Sequence, residues 1–381
     1  MVQSKASLSS VFVWAVLLGL APCVQAEPVL QTGVPFPTKD KPQSKLWCAH
    51  ESWWAWLPVK DGSGVWRRTQ AGWQREGHLD QALRGLPGQA DVWADADGVR
   101  AVLVGSEGLA VVALKWEAGQ YMPNGTPIRW AHNGLPAETA TIARGRDGLW
   151  WVAYDAGKRV LLRGSTDREG RQWRAPLVMN ERETSDDDIC AIVALPDGIG
   201  VVWSDQANDG VYFRRPGREI EVVAVGGHTA DDHINAAVSE NGTLYVAMKN
   251  SVDAIGLPQL VLRVRDRTEK WASIPYAPRT ANEQPSRPIA VIGGRPERIY
   301  LLHTVYQSGP LAERRDWIAA IVSRLGRLRI NVPAQAIERT ANTRLNDVTG
   351  PKTRWPDRAA WIVLSSDSGG NVYETRLDGL N

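Results

Sequence analysis

The fold is decided by residues 231–249, whose sequence is DDHINAAVSENGTLYVAMK. This stretch contains a polar cluster, a short apolar-rich run, an Asn-Gly pair and a second apolar-rich run that ends in Lys249. Asn-Gly between two such runs predicts a β-hairpin, because both central residues of a type I′ turn need a positive φ. The polar cluster therefore stands where the first strand of the hairpin begins.

The same layout recurs along the chain, and its clearest copies have a period of roughly 40 to 50 residues. The clearest turns before an apolar run are Asp97-Gly98, Asp147-Gly148, Asp197-Gly198 and Asn241-Gly242. With weaker copies included, the apolar runs are residues 53–57, 99–104, 149–154, 199–203, 243–247, 299–302 and 359–364. Such a period, with four strands per repeat, is typical of a β-propeller. We predict an all-β fold, a seven-bladed β-propeller of four-stranded blades, rather than a pair of β-sandwiches, which would not require so many comparable repeats.

The ring of blades needs a closing strand from elsewhere in the chain. The last repeat ends at Asn381 after only three strands, and an open ring would leave an exposed sheet edge. We predict that the segment near Leu30 to Val34 supplies the missing outer strand. Residues 27–44, which contain four prolines, are expected to form an extended lead-in, and residues 45–381 a single propeller domain.

The N-terminus has the pattern of a signal peptide. Lys5 precedes an apolar run from Val11 to Leu20, and Val24-Gln25-Ala26 fits a cleavage site, so we predict a signal peptide at residues 1–26 cleaved after Ala26. The run is too short to span a bilayer comfortably. Cys23 raises the alternative of a lipoprotein, although Pro22 stands where such signals have a small residue. The mature chain is expected to be periplasmic or secreted, with no stable membrane span.

Composition limits the function classes. The 44 basic and 42 acidic residues give a formal net charge of +2, which offers no support for nucleic-acid binding. Eighteen Trp against three Phe is unusual, and Trp suits both sheet packing and ligand stacking, with core packing as the expected main use. Cys48 and Cys190 could form one disulfide or remain two separate thiols. No Cys/His spacing suggests zinc, no cofactor is expected, and we expect a monomer.

Candidate site residues follow from the expected topology. In propellers the inner strand of each blade begins on one face beside the channel, and the loops between second and third strands open onto that same face, where ligand sites concentrate. Polar residues at these positions should therefore converge, mainly from blades four to six. The candidates are Asp187, Asp188, Asp232, His233, Asn235, Lys249, Arg287, His303, Tyr306 and Asp347.

These residue types allow several kinds of chemistry. His233, Arg287 and Tyr306, with nearby carboxylates, could perform acid–base catalysis on a polysaccharide, by hydrolysis or by β-elimination. The carboxylates of Asp187, Asp188 and Asp232 could instead hold Ca²⁺. The same groups with exposed Trp could bind a glycan without cleaving it. Asp and His at strand starts also cap turns, but repeated capping would not need His, Arg and Tyr.

The central stretch resembles a known group of proteins. Asp231 to Asn235, Asn241-Gly242 and Tyr245 to Ser251 resemble exported bacterial β-propellers of the broad sialidase-like, Asp-box group. Residues 165–173, STDREGRQW, and 365–373, SSDSGGNVY, approximate the Asp box, a turn-forming structural motif. Some polysaccharide lyases are similar seven-bladed propellers in which His and Tyr serve as base and acid. That resemblance implies these roles for His233 and Tyr306.

Two functional hypotheses remain. The first is an exported propeller that binds a carbohydrate or cell-envelope glycan and could process it as a glycoside hydrolase or polysaccharide lyase. The second is a non-catalytic scaffold that binds an envelope protein. The first predicts that the candidate side chains share a pocket, whereas the second does not require it.

Overall fold

The computed structural model describes residues 26–381 apart from positions 41, 107, 131–136, 253, 311–314, 340–343, 354–359, 379 and 381. The signal peptide predicted at residues 1–26 lies outside the described residues, except for Ala26. In the described part, antiparallel sheets form the seven blades of a β-propeller. The predicted fold is confirmed, and the β-sandwich alternative is wrong.

The strands are numbered in chain order. The first strand is β1 (Leu30–Gln31). Blade one contains β2 (Leu46–Ala49), β3 (Ser52–Val59), β4 (Gly62–Thr69) and β5 (Gly72–Arg75). Blade two contains β6 (Gln89–Asp95), β7 (Gly98–Gly105), β8 (Gly108–Glu117), β9 (Gln120–Pro123) and β10 (Ile128–Trp130). Its outer edge is divided, because β9 and β10 both pair with β8.

Blades three to five each have a regular succession of strands. Blade three contains β11 (Ala140–Arg144), β12 (Trp150–Ala156), β13 (Arg159–Gly164) and β14 (Leu177–Val178). Blade four contains β15 (Cys190–Leu195), β16 (Gly198–Asp205), β17 (Gly210–Arg214) and β18 (Glu221–Val225). Blade five contains β19 (Ile234–Val238), β20 (Leu244–Lys249), β21 (Pro258–Arg265) and β22 (Trp271–Pro278).

The remaining strands form blades six and seven. Blade six contains β23 (Glu283–Gly293), β24 (Arg298–Gln307), β25 (Trp317–Arg324) and β26 (Gln335–Arg339). Blade seven contains β27 (Asn346–Thr349), β28 (Ile362–Ser366) and β29 (Asn371–Arg376). The helical segments of the described chain are α1 (Asp80–Leu83) and the 3₁₀ turns Gly77–Leu79 and Gln206–Asn208. None of these helices is long or apolar enough to cross a membrane.

Blade seven is completed by the N-terminal strand, as predicted. Leu30 of β1 lies opposite Val372 of β29 in an antiparallel pair. The pairing extends to a hydrogen bond of 3.0 Å from the Thr32 amide to the Gly370 carbonyl. The strand covers an edge that would otherwise expose unpaired backbone groups.

The lead-in then crosses to the channel side of several blades. The Ser44 amide donates to Asp91 of blade two at 2.7 Å, and the Lys45 amide donates to Thr349 of blade seven at 3.1 Å. The Gln43 side chain donates to a carbonyl of blade three. Residues 43–45 therefore connect the inner strands of three blades before the chain enters β2.

The core consists of packed layers between neighbouring blades. Alternate residues of β20 serve two layers, because successive side chains of a strand point to opposite faces. Leu244, Val246 and Met248 pack against blade four, whereas Tyr245 and Ala247 pack against blade six. A strand buried on both faces must be apolar throughout, which explains the uninterrupted apolar run in the sequence.

The Asn-Gly turn forms the predicted hairpin with a different geometry. Gly242 has φ of 89°, but Asn241 is not among the described residues with positive φ. The Gly242 amide donates to the Ser239 carbonyl at 2.9 Å, and the Ser239 amide donates to the Thr243 carbonyl at 3.0 Å. This is a type I turn followed by a left-handed glycine. The hairpin is confirmed, and the type I′ assignment is wrong.

The two cysteines are separate thiols, and the tryptophans pack in the core. Cys48 and Cys190 are free thiols in blades one and four, and burial raises the pKa of Cys48 to about 11. Every described Trp is buried or half-buried, so core packing is the main use of this residue.

Candidate functional site between blades five and six

A pocket of about 410 Å³ opens between blades five and six. It lies at the end of the propeller where the inner strands begin. Its lining residues are His233, Lys249, Ser251, Val252, Gln259, Arg279, Gln284, Ser286, Arg287 and Tyr306. All three residues predicted to be catalytic therefore share one pocket with the predicted ligand-binding Lys249.

His233 is held by the carboxylates that precede it. Its side chain is buried, and Nδ1 lies 2.5 Å from Asp231 Oδ1 and also contacts Asp232 Oδ1. The other ring nitrogen, Nε2, lies 3.4 Å from Ser286 Oγ across the pocket. Because a carboxylate accepts the Nδ1 proton, Nε2 is left as the basic nitrogen of the neutral ring. The geometry orients His233 as a proton acceptor toward blade six.

Asp231 is the centre of this arrangement. Its Oδ2 accepts from Lys249 Nζ at 2.7 Å and from Ser251 Oγ at 2.9 Å, while Oδ1 faces His233. The hairpin brings these groups together, because the Lys249 amide donates to the His233 carbonyl at 3.1 Å. One buried carboxylate thus positions a base and a cation on the same wall of the pocket.

Arg287 reaches the pocket through an irregularity in β23. The register between β23 and β24 shifts between Ser286 and Ile289, so Arg287 and Pro288 stand outside the regular ladder. A bulge of this kind redirects a side chain. Arg287 also has φ of 55°, which costs a non-glycine residue about 1–2 kcal/mol. Strained backbone held by its surroundings is typical of functional sites.

Asp347 of blade seven holds Arg287 from behind. Arg287 Nη1 donates to both carboxylate oxygens of Asp347, at 3.0 and 2.9 Å. Asp347 is buried and lies in a matching register shift of β27, with φ of 36°. Burial alone would lower the pKa of Arg287, but the charge of Asp347 and the hydrogen bonds to Asp347 and Tyr306 raise it overall, so the guanidinium stays charged.

Tyr306 is fixed in its protonated form. Its hydroxyl accepts from Arg287 Nε at 2.5 Å and donates to Asn346 Oδ1 at 2.7 Å. Burial raises the pKa of Tyr306 to about 12, although the charge of Arg287 lowers it. At neutral pH Tyr306 can therefore serve as a proton donor, with His233 as the acceptor on the opposite wall.

The acidic residues beside His233 were also candidates for a cation site. Ligand atoms of Asp231, Asp232 and His233 lie within 4.8 Å of one another, a spacing that a metal ion could bridge. The Lys249 ammonium already lies against Asp231, however, and a second cation there would be repelled. The predicted Ca²⁺ ligands are divided, because Asp188 accepts instead from the Ser185 amide at 2.6 Å.

Other predicted site residues have structural contacts. Asn235 Oδ1 accepts from the Ala290 amide at 3.0 Å, which joins blades five and six. Asp188 also accepts from the Gln206 amide within blade four, and burial raises its pKa. Asp187 is exposed and does not line the pocket. Among the described residues, blade four therefore contributes none to the lining of this pocket.

The predicted loop position of His303 is wrong. It lies within β24, opposite Ala319, and is only 1% exposed. Burial lowers the pKa of His303 to about 3, so the ring is neutral. Its ring packs against Tyr276 with centroids 6.1 Å apart.

Several pocket residues were missed from the sequence. Asp231 lies in residues 231–249, but nothing in the sequence distinguishes it as the residue that holds His233 and Lys249. Arg279 lies in the connection from β22 to β23, and connections of this kind open on the same face as the strand starts. Gln259 lies near the start of β21, directly after a long loop. The sequence signal for Arg279 is its place in the connection from an outer strand to the next inner strand, which opens on the same face as the pocket.

A larger cavity of about 650 Å³ lies in the channel toward the opposite end. Its walls include the ends of inner strands, such as Leu195, Val238 and Ser239, and the lead-in residues Gln43 and Ser44. Of the predicted site residues, the ligand-binding candidate Asn235 lines it, whereas none of the predicted catalytic residues does. The larger volume and the predicted catalytic residues are therefore in different places, and the arrangement of His233, Arg287 and Tyr306 favours the smaller pocket.

Comparison with known proteins supports the fold. No protein-family model and no curated protein sequence matches the chain. Among solved structures, it is similar to a catalytically inactive variant of virginiamycin B lyase from Staphylococcus aureus with quinupristin, at a TM-score of 0.51 and 9% identity, covering 93% of this chain and 98% of that chain.

Two carbohydrate-active enzymes are further structural neighbours. An α-L-arabinanase from Penicillium chrysogenum has a TM-score of 0.45 and 12% identity, with 78% of this chain and 96% of that chain covered. A polysaccharide lyase has a TM-score of 0.45 and 9% identity, with 88% and 90% covered. Identities this low show likeness of fold alone. Membership of the sialidase-like, Asp-box group stays a prediction.

Proposed function

We propose that the protein is exported, binds an acidic glycan in the pocket between blades five and six, and cleaves it by β-elimination next to a uronate. The observation that carries this proposal is the orientation of His233. Two carboxylates hold Nδ1, and Nε2 is left toward a pocket that also contains Tyr306 and Arg287.

The charge of the pocket favours an anionic ligand. Lys249, Arg279 and Arg287 line it, and none of the described lining residues is Asp or Glu. The carboxylates that balance Lys249 and Arg287 lie behind them, with side chains only 5% and 2% exposed. A ligand therefore meets N–H donors rather than carboxylates, and charge-assisted hydrogen bonds to a sugar carboxylate are the strong kind.

The same lining argues against hydrolysis. Most glycoside hydrolases need a pair of carboxyl groups flanking the scissile bond. Among the described residues, this pocket presents none on its surface. β-Elimination instead needs a base, a proton donor and cations that stabilise negative charge on the sugar carboxylate. His233, Tyr306 and the basic residues match these three requirements.

The proposed step balances without water or a redox partner. His233 Nε2 removes the proton on the carbon next to the sugar carboxylate. The electron pair of that C–H bond forms a carbon–carbon double bond, and the neighbouring C–O glycosidic bond breaks. The leaving oxygen takes the proton of the Tyr306 hydroxyl, which gives up its hydrogen bond to Asn346 Oδ1 in this step. Lys249, Arg279 and Arg287 stabilise the negative charge that develops on the carboxylate.

The test uses oligosaccharides of galacturonate and of glucuronate, with a neutral glucan for comparison. We expect ultraviolet absorbance from the unsaturated product with at least one uronate oligosaccharide and none with the glucan. His233→Ala and Tyr306→Phe should each lower the rate by about 100-fold or more. His78→Ala and Tyr212→Phe, whose residues lie outside the pocket lining, are matched controls and should leave the rate unchanged.

Binding without a new double bond would contradict the catalytic half of the proposal and leave the binding half. Neither binding nor cleavage of any uronate oligosaccharide would contradict both. Recovery of an envelope protein that is insensitive to His233→Ala would then favour the scaffold hypothesis.

A further inference from the structure

Gln259 is a pocket residue with an unused hydrogen-bond acceptor. The residue is 4% exposed, lines the pocket and has a buried Oε1 with no hydrogen-bond partner among the described residues. Its backbone carbonyl accepts from the Asn250 amide at 2.7 Å. The unpaired atom is therefore a side-chain acceptor.

A second unpaired acceptor lies on the residue paired with Gln259. Asn250 is 7% exposed, and its Oδ1 also lacks a partner in the described part of the chain. Its Nδ2 donates to the Pro258 carbonyl at 3.2 Å, so the amide orientation is held. Acceptors at paired positions beside a pocket favour a ligand that supplies donors.

The physical requirement is a hydrogen-bond donor. Leaving a buried polar group unsatisfied costs about 1–3 kcal/mol, and a binding partner that supplies the missing hydrogen bond removes that cost. Phosphate diesters and sulfate esters only accept hydrogen bonds near neutral pH. A sugar hydroxyl donates as well as accepts. Gln259 therefore favours a ligand whose hydroxyl at this position is free over one in which that oxygen carries a sulfate or phosphate.

We propose that Gln259 is a specificity-determining residue that accepts a hydrogen bond from a free hydroxyl of the bound sugar, next to the carboxylate bound by the basic residues. The ligand class is then a uronate whose ring hydroxyl beside the carboxylate is free, rather than a glycan that carries sulfate or phosphate at that position. This inference rests on the proposed function, because it concerns the same pocket.

The experiment is a double-mutant cycle on protein and ligand. Binding of an oligogalacturonate, and of the same oligomer with its ring hydroxyls methylated, is measured by calorimetry for the wild type and for Gln259→Met. Methyl ethers keep the charge and the oxygen but cannot donate. Gln89→Met is the matched control, because Gln89 Oε1 of blade two is also buried without a partner among the described residues but lies outside the pocket.

We expect Gln259→Met to weaken binding of the free-hydroxyl oligomer by about five- to tenfold, the effect of one hydrogen bond. The same variant should not change binding of the methylated oligomer, so the two changes are non-additive. Gln89→Met should bind both oligomers as the wild type does. Melting temperatures of the variants establish that they fold. Comparing the two oligomers on the wild-type protein tests the role of the sugar hydroxyl without any variant.

Equal binding of the free-hydroxyl oligomer by the wild type and Gln259→Met would overturn this inference. Additive effects in the cycle would do the same, because the hydroxyl would then be bound elsewhere. In both cases the proposed function stands if Arg287→Gln, shown to be folded by its melting temperature, no longer binds the oligomer. Absence of uronate binding by the wild type would instead overturn the proposed function itself.

Discussion

Buried carboxylates hold the starts of the inner strands in blades three and five, but they do so in different ways. In blade three, Asp155 accepts from the amides of Glu138 and Thr139, each at 2.7 Å. In blade five, the described residues that hydrogen-bond to Asp231 do so through their side chains, those of His233, Lys249 and Ser251. Both carboxylates are buried, yet one closes a turn and the other positions a base and a cation.

The difference separates structural from functional acids. Asp188 in blade four and Asp209, which accepts from the amides of His228 and Ala230, belong with Asp155. A carboxylate that backbone amides satisfy holds the chain itself. A carboxylate that a His and a Lys satisfy determines where those groups point. Sequence position alone does not distinguish the two cases, because Asp188, Asp209 and Asp231 all stand shortly before a strand.

The largest expected effect comes from replacing the carboxylate of Asp231 with an amide. Asp231→Asn should lower the rate of uronate cleavage by about 100- to 10,000-fold, because the His233 tautomer and orientation are no longer enforced. Asp155→Asn is the matched control and should leave the rate within about twofold, since its contacts are to a turn of blade three. Initial rates with the same oligogalacturonate are the measurement. Equal losses of cleavage rate in the two variants would contradict the difference in role between Asp231 and Asp155.

The next effect concerns the ion pair behind the pocket. Arg287→Met leaves Asp347, which is 2% exposed, without its cation, and should lower the free energy of unfolding by about 3–5 kcal/mol. Arg75→Met removes an exposed pair with Asp80 and should cost about 1 kcal/mol or less. Urea denaturation of both variants checks this. Similar small losses would show that the Arg287 pair is as weak as a surface pair.

A third kind of buried acid predicts a pH dependence. Glu338 is 4% exposed, its Oε2 accepts from Ser365 and Thr375, and Oε1 has no partner among the described residues. Burial raises the pKa of Glu338 to about 7 from its ordinary value of 4.5. The folded state therefore keeps the proton more tightly than the unfolded state. Stability is lost as pH rises from about 4.5 to about 7 and does not fall further above it.

Glu338→Gln should remove this loss. Relative to the wild type, the variant should gain about 3 kcal/mol of stability between pH 4 and pH 8, from the shift in pKa. Chemical denaturation at several pH values measures the difference between the two proteins, so other titrating groups cancel. A constant difference across this range would show that Glu338 ionises normally.

The fold could be predicted from the sequence because its signal is repeated. Turn and apolar run recur with one period, and the need to close the ring locates the N-terminal strand without further information.

The turn type was predicted incorrectly, because Asn241-Gly242 fits both a type I′ turn and a type I turn followed by a left-handed glycine. The φ of Asn241 and the hydrogen bonds of Ser239 distinguish them.

The site could be predicted only in part. His233, Lys249, Arg287 and Tyr306 converge as expected, because strand starts and second-to-third loops share a face. The shift in register that redirects Arg287 has no clear sequence signal beyond Pro288. His303 illustrates the opposite failure, since β24 extends beyond the expected strand end and buries it. The direction of a side chain depends on such register details, which periodicity does not reveal.

The most direct measurement is a crystal structure of the wild-type protein with an oligogalacturonate that is too short to be turned over quickly. We predict that the sugar carboxylate lies within hydrogen-bond distance of Arg279 or Arg287, and that the neighbouring ring carbon faces His233 Nε2. Binding in the larger channel cavity, beside Ser239 and Gln43, with the pocket between blades five and six empty, would contradict the assignment of the site.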